Sequence, residues 1–128
     1  MILLTILGLL FVAAASVSEA IMDKIQFHYD STAIKNFKNQ LFWNPSISWQ
    51  NKWKDGDPKN GENFWGSSTI FVGLTDAWHL FKTFKNLSIF AGLFLIAIGI
   101  KSWFLLLVLF IIARILYGLV FSIVFKYL

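Results

Sequence analysis

Apolar residues dominate both ends of this chain, and polar residues are concentrated in its middle. Residues 1–17 are apolar apart from Thr5 and Ser16, and the stretch nearly reaches the ~20 residues that a membrane-spanning helix needs. We therefore predict an N-terminal transmembrane helix over residues 1–22. The small residues Ser18 and Ala20 also suit the cleavage site of a secretory signal peptide, but the absence of a basic n-region favours an uncleaved signal-anchor.

The longest apolar stretch covers residues 87–125, where only Lys101 and Arg114 are charged. As one helix it would measure ~58 Å, about twice the ~30 Å thickness of the hydrocarbon core of a bilayer. We predict a break at residues 99–102, which read Gly-Ile-Lys-Ser, with Ser102 capping the second helix. The C-terminal part is therefore expected to form a transmembrane helical hairpin.

An amphipathic helix is predicted just before the hairpin, over residues 69–86, with Ser67 or Ser68 as its cap. We favour a position at the membrane interface; the alternative is that it crosses the membrane as a fourth span. The first arm of the hairpin is short unless it recruits residues 80–86, with their lysines reaching the surface. Polar or small residues recur every three or four positions, as on one face of a helix: Thr69, Gly73, Asp76, His79, Thr83 and Asn86.

The one water-compatible stretch, residues 23–68, holds both prolines and most of the acidic side chains. Its glycines and Pro58 exclude a continuous helix or a central strand between residues 54 and 61. Tryptophan mixed with lysine suits the headgroup region of a membrane. We interpret the stretch as an irregular interfacial loop; a tryptophan-rich ligand groove is the alternative. Its four tryptophans are Trp43, Trp49, Trp53 and Trp65.

Together these elements predict an all-α integral membrane protein with three spans, or four, divided into residues 1–22, 23–68 and 69–128. The chain is 57% hydrophobic and 14% charged, whereas soluble domains have roughly 45–50% apolar and about 25% charged residues. This apolar excess requires lipid or a partner. The small residues at positions 13–18 would let another helix approach closely. The expected partners are the lipid bilayer and either a second copy or another membrane protein.

The positive charges are spread along the chain. Ten lysines and one arginine give a net charge of +4 but form no cluster, so nucleic-acid binding is not expected. With three spans, nine lysines lie on the side of the long loop and Lys101 alone on the other; with four, the split is seven to three. The positive-inside rule favours three spans, an outside N-terminus and a cytoplasmic loop. We expect a bacterial or phage-encoded protein of the inner membrane. The lack of cysteine excludes disulfides, thiolate zinc sites and iron–sulfur clusters.

Two sets of acidic and histidine residues could carry chemistry. Glu19, Asp23 and Asp30 would form an acidic stripe if the first helix continued past the span. Asp76 and His79 are neighbours on one helical face, where the carboxylate can fix the tautomer of the imidazole or both can bind one metal ion. If the two sets converged, they would hold a divalent metal that activates water. The candidate metal ligands and catalytic residues are Glu19, Asp23, Asp76 and His79.

An arginine near the middle of the last predicted span, Arg114, requires a carboxylate or carbonyl partner. We predict a structural intramembrane ion pair between Arg114 and Asp76. In the interpretation we favour, the protein is a non-enzymatic accessory or structural component of a membrane. One alternative is a metal-dependent hydrolase or metal-binding protein that uses the carboxylate and histidine cluster. Another is a permeabiliser that resembles phage holins in size, charge and number of spans.

Overall fold

The computed structural model describes the whole chain, Met1–Leu128, and its regular secondary structure is helical, with one isolated β-bridge between Trp53 and Glu62. Three helices are long and apolar enough to cross a membrane by length and composition, which confirms the predicted helical class and the number of long apolar helices. The α-helices are α1 (Ile2–Phe27), α2 (Gln40–Trp43), α3 (Ala77–Gly99) and α4 (Trp103–Tyr127). The 3₁₀ helices are Tyr29–Ser31, Ala33–Asn36, Ser48–Lys52, Lys54–Gly56, Pro58–Asn60 and Val72–Leu74.

The break between α3 and α4 lies where the sequence predicts it. Helix α3 ends at Gly99 and helix α4 begins at Trp103. The hydroxyl of Ser102 accepts a hydrogen bond from the backbone N–H of Leu105 at 3.4 Å, so Ser102 caps α4 as expected.

The predicted separate helix over residues 69–86 is wrong. Residues 69–75 form turns and a 3₁₀ helix, and α3 begins only at Ala77 and continues without interruption to Gly99. The cap is Asp76 and neither of the two serines, because its Oδ1 accepts the backbone N–H of His79 at 2.9 Å. An aspartate in this position satisfies one of the free N–H groups of the first helical turn. Residues 80–86 therefore belong to the first arm of the hairpin, and no separate helix remains to form a fourth span.

The first helix is longer than predicted, since α1 reaches Phe27 where we expected it to end at residue 22. It carries Glu19 and Asp23 on its length, but Asp30 lies beyond it in the 3₁₀ helix Tyr29–Ser31. The predicted acidic stripe is therefore limited to two carboxylates.

The chain divides into two compact units, and the first consists of Met1–Ala20 and Phe84–Tyr127. In this unit α1 and α3 are antiparallel and meet at two glycines: a Cβ added to Gly8 would lie 2.7 Å from the carbonyl oxygen of Gly92. Glycine permits this because it brings no side chain between the two backbones. A core of Val12, Ile96 and Ala113 lies among the three helices.

The small residues of α1 predicted to allow close helix packing are buried in this unit. Ala15 and Ser16 are fully enclosed, and Ser18 is 2% exposed. The hydroxyl of Ser16 donates a hydrogen bond to the backbone carbonyl of Tyr117 on α4 at 2.5 Å, so the small face of α1 contacts α4 directly.

The second unit, which includes residues 21–83, has a small core of its own formed by Ile25, Ile34 and Ala77, with aromatic side chains packed around it. Side chain to backbone hydrogen bonds link its turns: the amide of Asn51 donates to the carbonyl oxygens of Leu41 and Thr75, both at 2.9 Å. The stretch predicted as an irregular loop is therefore a set of connected short turns.

One turn of the second unit is closed by Glu62. Its carboxylate accepts the backbone N–H of Gly66 at 2.9 Å and both the N–H and the hydroxyl of Ser68. The hydroxyl of Ser68, followed by the two backbone donors, stabilises the ionised carboxylate and lowers the pKa of Glu62.

Candidate functional site

The most defined polar pair of the second unit is Asp76 with His79. The carboxylate oxygens Oδ1 and Oδ2 lie 2.9 and 2.8 Å from the imidazole Nδ1. Because Asp76 caps α3 and His79 lies three positions further on, the start of the helix holds both side chains on one face. The hydroxyl of Thr75 is 3.2 Å from Oδ2. The side chain of Asp76 is 4% exposed, while that of His79 is 25% exposed.

The electrostatics of the pair favour an ionised carboxylate. Burial raises the pKa of the Asp76 carboxyl, but the hydrogen bonds from the ring and backbone of His79 and the positive charges of His79 and Lys52 outweigh it. The pKa therefore lies below its ordinary value of 3.8. A carboxylate at Nδ1 orients the imidazole and leaves Nε2 as the ring nitrogen available to a ligand.

His79 and Asp76 line an open cleft of about 260 Å³. Trp78, which belongs to the same cleft, packs edge-on against His79 with 4.9 Å between ring centroids. The cleft offers the imidazole of His79, the carboxylate of Asp76, one lysine and aromatic walls, a set that can bind a polar ligand or accept a proton. Its other lining residues are Gln26, Pro45, Ser48, Trp49 and Lys52. The sequence pattern did not single out Ser48 or Lys52 for this cleft, because they are distant from Asp76 along the chain and form no motif with it.

A second polar cluster lies in the first unit and joins its three helices. The Glu19 carboxylate of α1 accepts a hydrogen bond from the hydroxyl of Tyr117 on α4 at 2.5 Å. Its other oxygen is 3.2 Å from the ammonium of Lys85 on α3. With the hydrogen bond from the Ser16 hydroxyl to the Tyr117 carbonyl, these contacts connect α1 to both α3 and α4. The sequence pattern gave no link between Tyr117 and Glu19, which are 98 positions apart along the chain.

The structure brings two of the four predicted metal ligands together. Asp76 and His79 form the pair described above, whereas Glu19 is bound by Tyr117 and Lys85. Asp23 is half-buried on α1. No group of three or more histidine and acidic side chains is close enough to hold a metal ion, so a metal held by the Asp76 pair would need other ligands. The metal site stays a prediction.

The Arg114 side chain lies on α4 in the first unit, exposed, with its Nη1 3.5 Å from the point where a Cβ on Gly118 would stand. The ion pairs of Asp76 and Glu19 are made with His79 and Lys85. The carboxylate of Asp76 thus contacts the imidazole of His79, one helical turn away, and the ion pair between Arg114 and Asp76 stays a prediction.

No protein-family model, curated protein or solved structure matches this chain. The fold and the two polar clusters define the class of the protein: a helical chain with three apolar helices suited to a membrane and a cleft built on an Asp–His pair.

Proposed function

We propose that this chain is an integral membrane protein with three spans that acts as a non-enzymatic accessory or structural component of a membrane complex. Length and hydropathy support the three spans: α1, α3 and α4 have windows of mean hydropathy 2.1, 1.5 and 2.7. A helix of 23 residues is ~35 Å long, enough for the ~30 Å hydrocarbon core.

The observation that carries the assembly role is the surface of α4. Only 6% of its most apolar window is buried within the chain, yet the helix bears Arg114 near its centre. Lipid can cover the apolar side chains, but it does not solvate a guanidinium at that depth. A helix that is surrounded only by lipid gains nothing from an arginine at this depth, whereas a helix that packs against another protein can pair the arginine with an acidic side chain of that protein.

The lysine distribution supports an orientation. With three spans, nine lysines lie in residues 28–76 or on the adjoining halves of the long helices, and Lys101 lies in the turn at the opposite end. By the positive-inside rule the N-terminus and the turn at Lys101 then face outside and the long segment faces the cytoplasm. We extend this to the inner membrane of a bacterium as the proposed location.

Insertion and orientation are tested together by cysteine labelling, which is clean because the chain has no native cysteine. We expect a membrane-impermeant maleimide to label Lys101→Cys in intact bacterial cells and to label Asp57→Cys only after the cells are opened. Both variants should stay in the membrane pellet after alkaline carbonate extraction. Extraction of the protein into the soluble fraction, or labelling of both positions from the same side, would contradict the proposal.

The assembly role is tested by native mass spectrometry of the detergent-solubilised protein after crosslinking in its native membrane. We expect a defined oligomer or a defined complex with another membrane protein. A strictly monomeric protein that gives no crosslinked species would refute the role.

The cleft at Asp76 and His79 favours a second candidate, a membrane-surface hydrolase or metal-binding protein. The ordered pair and the available Nε2 support it, since an oriented imidazole is a common general base or metal ligand. Elemental analysis of the purified protein tests the metal: stoichiometric metal that disappears in both Asp76→Asn and His79→Ala would support it, and its absence from the native protein would remove it. The holin-like alternative stays a prediction, and growth arrest on induced expression is its test.

A further inference from the structure

The first unit presents a groove between α3 and α4 with Arg114 at its edge. The groove has a volume of about 350 Å³. Apart from Arg114 and Tyr117 its walls are apolar, and the Tyr117 hydroxyl is already bound to Glu19. Ala113, the residue next to Arg114, is 3% exposed and also lines the groove, where its small side chain occupies little of the space. The apolar walls are Ile89, Leu93 and Phe110.

The position of Arg114 along α4 places its charge deep in a bilayer, an argument that rests on the proposed membrane insertion. The residue is roughly 16 Å from the Trp103 end of the helix and roughly 20 Å from the Tyr127 end, at 1.5 Å per residue. The guanidinium leans along the helix over Gly118, which moves it by about one turn toward the C-terminal end. It stays well inside a hydrocarbon core of ~30 Å.

The unit contains no carboxylate free to neutralise this charge. Glu19 is its sole acidic side chain, and Glu19 is engaged by Lys85 and Tyr117. The first unit of a second copy would bring only the same Glu19 in the same engaged state. An unpaired arginine at membrane depth costs several kcal/mol, so the missing anion has to come from a different molecule.

We propose that the groove between α3 and α4 binds a transmembrane helix of another protein that carries an aspartate or glutamate near the middle of its span. The apolar walls match the side chains of such a helix, and Arg114 supplies the charge-assisted hydrogen bonds that its carboxylate needs. The acidic residue of the partner is then ionised and paired with Arg114, and the contact between the two helices shields both charges from the lipid. This names the class of partner for the assembly role proposed above.

The test uses the full-length protein in phosphatidylcholine vesicles with a synthetic transmembrane peptide as the probe. The peptide is a leucine–alanine helix of about 25 residues with one central aspartate, and matched peptides carry asparagine, alanine or lysine there. Association is measured by energy transfer between a labelled peptide and a label on the protein. We expect the aspartate peptide to associate about tenfold more tightly than the asparagine peptide, in the range of intramembrane polar contacts, and the lysine peptide to associate least.

Variants of the protein locate the effect. Arg114→Gln should remove the preference for aspartate, and Arg114→Lys should keep part of it because the positive charge remains. Lys101→Gln, which removes a charge from the turn between α3 and α4, should keep all of it. Helical circular dichroism checks that each variant folds, and the comparison among peptides on the native protein needs no variant.

Three results would overturn the inference. Equal association of the aspartate and asparagine peptides would show that the groove does not select a carboxylate. Loss of the aspartate preference when anionic phosphatidylglycerol replaces zwitterionic phosphatidylcholine would assign the site to an anionic lipid headgroup. Self-association that depends on Arg114 and that the aspartate peptide does not disturb would assign it to a second copy. Flotation of the protein with the vesicles is measured separately, so failure to insert, which refutes the proposed function, is distinguished from failure to bind the peptide.

Discussion

The close contact between the backbones of α1 and α3 predicts that replacing Gly92 by alanine destabilises the protein. A methyl group added there would stand 2.7 Å from the carbonyl oxygen of Gly8 and 3.0 Å from Cγ2 of Val12. Ordinary van der Waals contact begins at 3.4 Å, so the two helices have to separate or shift. The neighbour at 2.7 Å is backbone and cannot rotate away. Gly92→Ala is therefore an overpacking mutation.

The matched control is Gly118→Ala, which also replaces a glycine in the interior of a long apolar helix. Its nearest heavy atom is the Nη1 of Arg114 at 3.5 Å, the mobile end of a flexible side chain. Both variants remove the helix penalty of glycine, about 1 kcal/mol, so this gain cancels in the comparison. The remaining difference is the overpacking cost, and we expect Gly92→Ala to be about 1–3 kcal/mol less stable than Gly118→Ala.

The assay is reversible unfolding in mixed micelles with increasing sodium dodecyl sulfate, followed by helical circular dichroism. The free energy of unfolding is compared at one detergent composition for the native chain and both variants. If Gly92→Ala proves as stable as Gly118→Ala, the close contact of α1 with α3 at the two glycines does not exist, and the arrangement derived for this unit has to be abandoned.

Three further predictions follow from single contacts. Because the pKa of Asp76 is lowered, its stabilising effect is present above the ordinary value of 3.8 and is lost as the pH falls through the lowered pKa; Asp76→Asn should remove this acid sensitivity, measured as tryptophan fluorescence against pH. Ser68→Ala should raise the pKa of Glu62, whose lowering is due chiefly to the Ser68 hydroxyl, and carboxyl NMR shifts report it directly. Tyr117→Phe keeps the packed ring but loses the bond to Glu19, so we expect a loss of about 1–2 kcal/mol in detergent unfolding; an unchanged stability would argue against the three-helix connection.

The two polar clusters have different consequences for function. The Glu19 cluster satisfies its charges internally, which is how a structural connection inside lipid is built. In the Asp76 pair, the carboxylate binds Nδ1 of His79, and His79 lines a cleft. Arg114 has no carboxylate partner within the chain. For this reason we look for an acidic partner of Arg114 on another protein.

The local features of the fold were predictable because they depend on neighbouring residues. The length and apolarity of residues 87–125 exceed one bilayer crossing, so a break was required, and Gly99 and Ser102 located it. The pairing of Asp76 with His79 follows from helical spacing alone. The start of α3 was not predictable in this way, because Ser67, Ser68 and Asp76 are all acceptable caps and only the packing of the preceding turns selects among them.

The sequence by itself determined how many long apolar helices the chain has and where they turn, since both depend on composition summed along a segment. Only the tertiary structure decided that Glu19 binds Tyr117 and Lys85, which are 98 and 66 positions away along the chain. The same holds for the meeting of Gly8 with Gly92. Such contacts depend on the register in which the helices pack, and many registers satisfy the same apolar pattern.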